Sequence, residues 1–320
     1  ALMFVGVAVT IIGLENLPVA ETPYTEGMNM VVIALFCIVP MCAWALTLWA
    51  MKGYELSGPR MKEIQAINAV RKDGVAKGMT LEEAIAAAEK ENIGMIVTEH
   101  WDYDYPTNPS EFIFDLNAYY EKMSKVRSDK VLIGIEIGMQ AHTLELDKNV
   151  AASQKFDFVL GSIHCAKRKD LYEAYCYEGF TRQESVRNFL EDSIYCVKNQ
   201  KDYDSFAHID YLTRYWIYKG EYLEYADAPE LFDELFNVLV ADNKAIEINT
   251  RRLDDQKAID ALVALYKRFV ELGGKYCTLG SDAHYAEHVG RRMDVAIAIA
   301  KECGLTPVYF KNRQMQIIEL

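Results

Sequence analysis

Five apolar, strand-like runs in this chain each end on a metal-binding side chain. They read IGMIVTEH to His100, VLIGIEIG through Glu136, FDFVLGSIH to His164, YDSFAHID through His208, and YCTLGSDAH with Asp282 and His284. Buried strands are continuously apolar, and a side chain at a strand's carboxyl end projects into the mouth of a parallel barrel. A single histidine closing an apolar run is ordinarily a core residue with a satisfied hydrogen bond. Four of the six histidines in such places, joined by two carboxylates, specify a shared polynuclear metal site instead.

The spacing between these runs is helical. Strands are expected at 94–98, 131–137, 158–162, 205–209, 245–249 and 276–280, alternating with amphipathic segments at 112–126, 182–198, 228–242, 256–272 and 289–302. Thr80 and Glu83 form a capping-box pattern ahead of a further helix in MTLEEAIAAAEKEN. The alternation predicts an α/β fold with a parallel sheet, and ligands at strand carboxyl ends favour a barrel over an open sheet.

The first 78 residues differ from the rest. From Met30 to Met51 the chain carries no charge, long enough to cross a bilayer, with Trp44 and Trp49 near one end. Basic Lys52, Arg60, Lys62, Arg71 and Lys72 follow it and acidic Glu15, Glu21 and Glu26 precede it, which puts the carboxyl side in the cytoplasm. A buried hairpin of two core helices is the alternative. The chain opens on Ala1 in apolar sequence, as a piece cut from something longer would. The domain division expected is therefore 1–78, a membrane-helix-like segment and charged tail, and 79–320, a catalytic domain.

A formal charge of -13 opposes non-specific binding to nucleic acid, so a small substrate or a protein partner is favoured. Seven cysteines, odd in number and without paired spacing, read as reduced thiols in a cytoplasmic setting. Cys165 is a weak ligand candidate, because the residue after His164 points to the opposite face of a strand.

Histidine and carboxylate ligands without thiolates suit Zn, Mn or Fe. Glu136, between Gly134 and Gly138, can approach two cations closely, and cations so bridged bring water to a pKa near about 7. A phosphate ester is the natural electrophile, and guanidinium groups its natural partners. Arg214, Arg251 and Arg252 are placed near the mouth, with Lys167 and Arg168 as further candidates. His142 is a weaker one, and His288 shapes a helix start.

The motifs TEHWD, GIEIG, FDFVLGSIH, AHIDYLTRY, EINTRR and GSDAH, over about residues 79–320, resemble the polymerase and histidinol phosphatase (PHP) family, histidinol-phosphatase branch. The resemblance implies a distorted (β/α)7 barrel holding up to three divalent metals. Carried over, Glu136, His164 and His208 hold one metal, Glu136 bridges to a second with Asp282, and His100 and His284 bind a third. Glu136, Asp282 and His284 form the catalytic set, and Arg214, Arg251 and Arg252 bind substrate. The implied reaction is hydrolysis of L-histidinol phosphate to L-histidinol and phosphate, in histidine biosynthesis. The family pattern opens on a strand with His-x-His; here EIQAINAVRKDG has Gln65 and Ile67 in those places, so the first strand is lacking or altered. The alternative is an impaired metal-binding PHP module tethered to a membrane. Residues 1–78 resemble the carboxyl-terminal end of a glycoside-pentoside-hexuronide sugar:cation symporter, which implies membrane association through residues 30–51.

Overall fold

Residues 79–319, together with Ala34 and Ile38–Met41, are described by the computed structural model of this chain. In chain order the elements are α1 (Leu81–Lys90), β1 (Met95–Asp102), α2 (Leu116–Ser124), β2 (Val131–Gly138), α3 (Leu144–Ser153), β3 (Phe158–Ser162), β4 (Cys165–Ala166) and β5 (Lys169–Asp170). There follow α4 (Arg182–Asn199), β6 (Ser205–Phe206), α5 (Tyr211–Tyr215), α6 (Pro229–Ala241), β7 (Ala245–Asn249), α7 (Gln256–Glu271), β8 (Tyr276–Gly280), α8 (Met293–Cys303), β9 (Thr306–Lys311) and β10 (Gln314–Ile317). The expected capping box starts α1: Glu83 N–H donates to Thr80 Oγ1 at 3.2 Å, and Thr80 N–H to Glu83 Oε2 at 2.8 Å.

One sheet has the order β1-β2-β3-β6-β7-β8-β9-β10, so spatial order follows chain order. Every pairing in it is parallel except the β9–β10 hairpin. Among the described residues no pairing joins β1 to β10. The sheet is nevertheless curled. Phe158 on β3 and Phe310 on β9, far apart in strand order, stack with ring centroids 5.5 Å apart. They join Leu160, Ala207, Ala245 and Val308 in a core on the concave face, with Ile96, Tyr276 and Met315 packed against it. On the convex face Ile133, Ile135 and Ile137 join Phe189 and Leu190 of α4, Phe232 and Phe236 of α6, and Phe269 of α7. Period-two alternation thus buries both faces of β2, as a covered parallel sheet requires.

The amino ends of the strands share one device. Asp157, just before β3, is fully buried and accepts the Ile133 N–H of β2 at 3.0 Å; Asp204, just before β6, accepts the Val159 N–H of β3 at 2.8 Å. Each also takes an arginine. Arg127 donates to Asp157 from Nε at 2.9 Å and Nη2 at 2.6 Å, and Arg313 Nε donates to Asp204 at 2.6 Å. Arg313 and Asn312 form the left-handed turn of the β9–β10 hairpin, and the Asn312 N–H donates to Asp157 at 2.9 Å. The hairpin therefore closes the floor of the sheet.

The structure differs from the sequence expectation in particulars. The first described strand runs on to Asp102, so His100 lies within it and not beyond its end. The strand expected at 205–209 is only Ser205–Phe206, because the chain turns at His208 into α5. Among the described residues no helix is long and apolar enough to cross a membrane. The charge-free run 30–51, apart from Ala34 and Ile38–Met41, and the expected first strand around Gln65 and Ile67 lie outside the described residues.

Burial pushes the Asp157 carboxyl up, but Arg127 and the Ile133 and Asn312 N–H groups outweigh it, so its pKa falls below the usual carboxylate value. The stability it contributes is therefore present above about pH 4 and lost as pH falls through the lowered value. Asp157→Ala should cost about 3–5 kcal/mol at pH 7 in urea unfolding, with the deficit shrinking near pH 3. A deficit independent of pH would show that Asp157 acts through packing alone.

Candidate metal centre

The concave face changes character along each strand. On β1 the inward residues run Ile96, Thr98, His100, Asp102, and on β2 Leu132, Gly134, Glu136, Gly138; their register sets His100 beside Glu136 and Asp102 beside Gly138. β3 brings Leu160 beside Glu136 and leads on to His164, and β6 leads on to His208. Four imidazoles stand in a row at the carboxyl ends. Ring centroids are 5.9 Å apart for His284–His100, 5.1 Å for His100–His164 and 5.3 Å for His164–His208.

Glu136 is the hub. Its Oε1 lies 3.1 Å from His164 Nε2 and 3.1 Å from His208 Nε2, and its Oε2 lies 3.8 Å from His100 Nδ1. All three residues of the inner set, Glu136, His164 and His208, are buried. Asp102 supports the set: His164 Nδ1 donates to its Oδ1 at 2.6 Å, which fixes the tautomer and turns Nε2 toward Glu136. Two further groups could hold an ion, His100 with Asp102 and His164, and His100 with Asp282 and His284.

The donors fit a divalent cation on this structure's own terms. His164 Nε2 and Asp102 Oδ2 are buried with no hydrogen-bond partner. A fully desolvated nitrogen and oxygen left open, pointing into a cluster of like ligands, are what a cation would satisfy.

Electrostatics tie the groups together. Burial works against charge on His100, yet Glu136 and Asp102 outweigh it and lift its pKa to about 9. Burial likewise disfavours the Asp102 anion, but His164 and His100 hold its pKa down to about 2. Against burial, His100, His164 and His208 hold Glu136 well below the usual carboxylate range, and Asp102 and Glu136 hold His164 well above the usual imidazole value. For His208 burial prevails and lowers the pKa. Burial together with Glu136 and Asp282 pushes Glu247 up to about 7.

Asp282 has a left-handed backbone, φ 49°, a conformation uncommon outside glycine and tolerated by aspartate. Its carboxylate accepts from Arg214 Nη1 at 2.6 Å, and Arg214 holds its pKa at about 2 against burial. Arg214 is buried over the Tyr211 ring at 5.4 Å, and its Nε has no partner. Tyr211 packs in turn on His164 and His208, at 4.8 and 4.9 Å.

The residues expected at the site are not placed alike. Arg251 Nη1 is 3.8 Å from Asp282 Oδ2, whereas Arg252 is bonded to Thr213 Oγ1 and lies over Tyr222, bracing α5. His284 is half exposed. His142 Nε2 is 2.8 Å from Asp104 Oδ2 at the rim, where Arg168 also donates to Asp104 at 2.9 Å; Lys167 turns away to Glu191 and Asp192. His288 sits in the 3-10 turn Ala286–His288, and Cys165 is buried outside every candidate ligand group of the described residues. Gly134 and Gly138 serve a purpose the sequence did not suggest: a Cβ at Gly134 would press on Thr98 and Ile96, and one at Gly138 would overlap Asp102. Reading by runs also missed Asp102 and Glu247; Asp102 stands two residues from the recognised His100 and so shares its face, whereas Glu247 neighbours no residue singled out from the sequence on its own face.

Removing Asp102 leaves the His164 ring free to turn. Asp102→Ala should weaken the tightest Zn by about 10–100-fold in equilibrium dialysis. Unchanged affinity would sink its role in orienting His164.

Residues 76–251 match the PHP domain family. The chain is 40% identical over 238 residues to a probable histidinol-phosphatase of Clostridium acetobutylicum, covering 74% of this chain and 93% of that protein. It is 31% identical over 228 residues to the histidinol-phosphatase of Lactococcus lactis subsp. lactis, covering 69% of this chain and 83% of that one. Its fold superimposes on the crystal structure of histidinol phosphate phosphatase from Lactococcus lactis, complexed with Zn, L-histidinol and phosphate, with TM-score 0.70 and 28% identity over 74% of this chain and 92% of that chain.

Proposed function

The chain belongs to the PHP domain family, and on that premise we propose that it is a metal-dependent phosphomonoesterase hydrolysing L-histidinol phosphate to L-histidinol and phosphate. The observation that carries this is the convergence of His164 and His208 on one buried oxygen of Glu136, each at 3.1 Å, in a chain 40% identical to a probable histidinol-phosphatase.

Glu136, His164 and His208 hold one divalent cation in this reading, Zn, Mn or Fe. Glu136 and Asp282 share a second, and His100 and His284 take a third. When bound, the metals supply a water-derived nucleophile near neutral pH and neutralise phosphate oxygens. The remaining work falls to the chain. Arg214, whose Nε is unpartnered, offers a rigid donor to the phosphoryl group, with Arg251 beside it. Asp282, fixed by Arg214, orients the attacking water, and His284 completes the catalytic set. Tyr211 walls the inner imidazoles from solvent. The curled sheet, with parallel strands and interleaved helices, supports the family's distorted (β/α)7 barrel, its first strand lacking or altered. The membrane-like reading of residues 1–78, with a cytoplasmic catalytic unit from 79 onward, is a separate proposal that rests on the charge-free run 30–51 and its basic flank.

A second reading, a metal-binding module without turnover, is favoured by Gln65 and Ile67 standing where the family has His-x-His. Phosphate release from L-histidinol phosphate, assayed after loading with Zn or Mn, separates the two. Release that is lost on chelation and abolished by His164→Ala is expected; bound metal with no release would establish the module. Arg214→Met should lower kcat/KM by about 10–100-fold, the worth of a hydrogen bond to a charged group, and an unaltered value would remove Arg214 from phosphate binding.

A further inference from the structure

Glu247 is buried on β7, and with Asn249, two residues on, it faces the concave side of the sheet. Its Oε2 accepts the main-chain N–H of His208 at 2.8 Å and Asn249 Nδ2–H at 3.1 Å. Asn249 Nδ2 also stands 3.5 Å from Asp282 Oδ2. The carbonyl of Glu247 accepts the Tyr266 hydroxyl at 3.0 Å, which anchors this point of β7 to α7. The other carboxylate oxygen lies over Gly280 on β8, where any Cβ would overlap the Glu247 Oε1 and Cδ atoms. One side chain thus joins the carboxyl ends of β6, β7 and β8. No cation in the described structure pairs with it. A buried carboxylate so placed is costly, and an apolar residue of the same volume would serve packing better. What the carboxylate does that an apolar residue does not is hold the N–H of His208, whose ring reaches Glu136.

We propose that Glu247 is a positioning residue of the metal centre: it fixes the His208 main chain and the Asn249 amide, setting His208 on Glu136 and Asp282 toward Arg214, and Gly280 makes the room for it. The inference rests on the reading of Glu136, His164 and His208 as a metal set. It adds a residue that touches neither metal nor substrate.

The test is Zn affinity by chelator competition, with the Co(II) absorption spectrum as a report on ligand geometry and circular dichroism as a check of folding. Glu247→Ala should weaken the tightest Zn by about 10–100-fold and alter the Co(II) bands. Glu247→Gln should restore both, because its amide oxygen still accepts the His208 N–H. Gly280→Ala, which displaces an intact Glu247, should reproduce the loss, and adding it to Glu247→Ala should bring no further loss. A folded Glu247→Ala protein with wild-type affinity and spectrum would overturn the proposal, as would Gly280→Ala and Glu247→Ala acting additively. Should Glu247→Ala not fold, wild-type affinity in Gly280→Ala decides against it. Wild-type protein that binds Zn but releases no phosphate would sink the proposed activity and leave this inference standing. Wild-type protein that binds no Zn would sink the metal reading itself.

Discussion

Two imidazoles converging on one oxygen of a carboxylate sunk between aliphatic strands is the arrangement on which the rest of the centre depends. A carboxylate cannot be taken out of water alone; its desolvation is offset only by partners with good geometry. Glu136 finds them in three strand ends. His164 and His208 reach Oε1, His100 stands off Oε2, and Asp102 holds the far side of His164. The opposed pKa displacements of Glu136 and Asp102 downward, and of His100 and His164 upward, are the electrostatic record of that dependence. Such a cluster could hold a divalent cation, since metals and protons compete for the same nitrogens.

The strands that carry this cluster keep it apart from the apolar core by position along their length. At the amino ends Asp157 and Asp204, each bound to an arginine and to an N–H near the start of the neighbouring strand, close the floor. Above them Phe158, Leu160, Ala245, Val308 and Phe310 fill the curl of the sheet. Glu136 stands level with Leu160 at the upper edge of this layer, and His164 and His208 lie beyond it. Ser205 Oγ and Thr278 Oγ1, 2.7 Å apart across Ala245 of the strand between them, mark the change from apolar to polar. The apolar plug below lets the site above stay rigid, because close-packed interiors resist the shifts that would spread ligands apart.

Much of this was legible from residue order. An apolar run that stops on histidine or glutamate announces a strand and a side chain toward its carboxyl end, and the segments at His100, Glu136, His164, His208 and Asp282 lie together, although β1 is only partly buried and His100 and Glu136 fall within their strands. The capping box at Thr80 and the strands Phe158–Ser162, Ala245–Asn249 and Tyr276–Gly280 are equally local in origin. What was not legible depends on neighbours. The glycines around Glu136 looked like room for metals, and the space is taken by Thr98, Ile96 and Asp102 from β1. The β9–β10 hairpin is short and its outer strand mostly exposed; its place is set by Asp157 and Asp204, more than a hundred residues earlier. Leu144–Ser153 is helical despite a weak apolar stripe, because Leu144, Val150 and Ala151 are covered by the convex core.

Burial grades across the centre, and that grading orders what its parts can do. The inner set is sealed, whereas His100 is partly exposed and His284 half exposed. Ligands held on several sides lose little freedom on binding a cation; ligands free to turn lose more, so affinity should fall from the Glu136 end of the imidazole row toward His284. Asp282 and Arg214 stand between the two ends, buried and bonded to each other, with Arg251 at the solvent side. The grading from a sealed inner group to an open outer one follows from which strand end each side chain occupies.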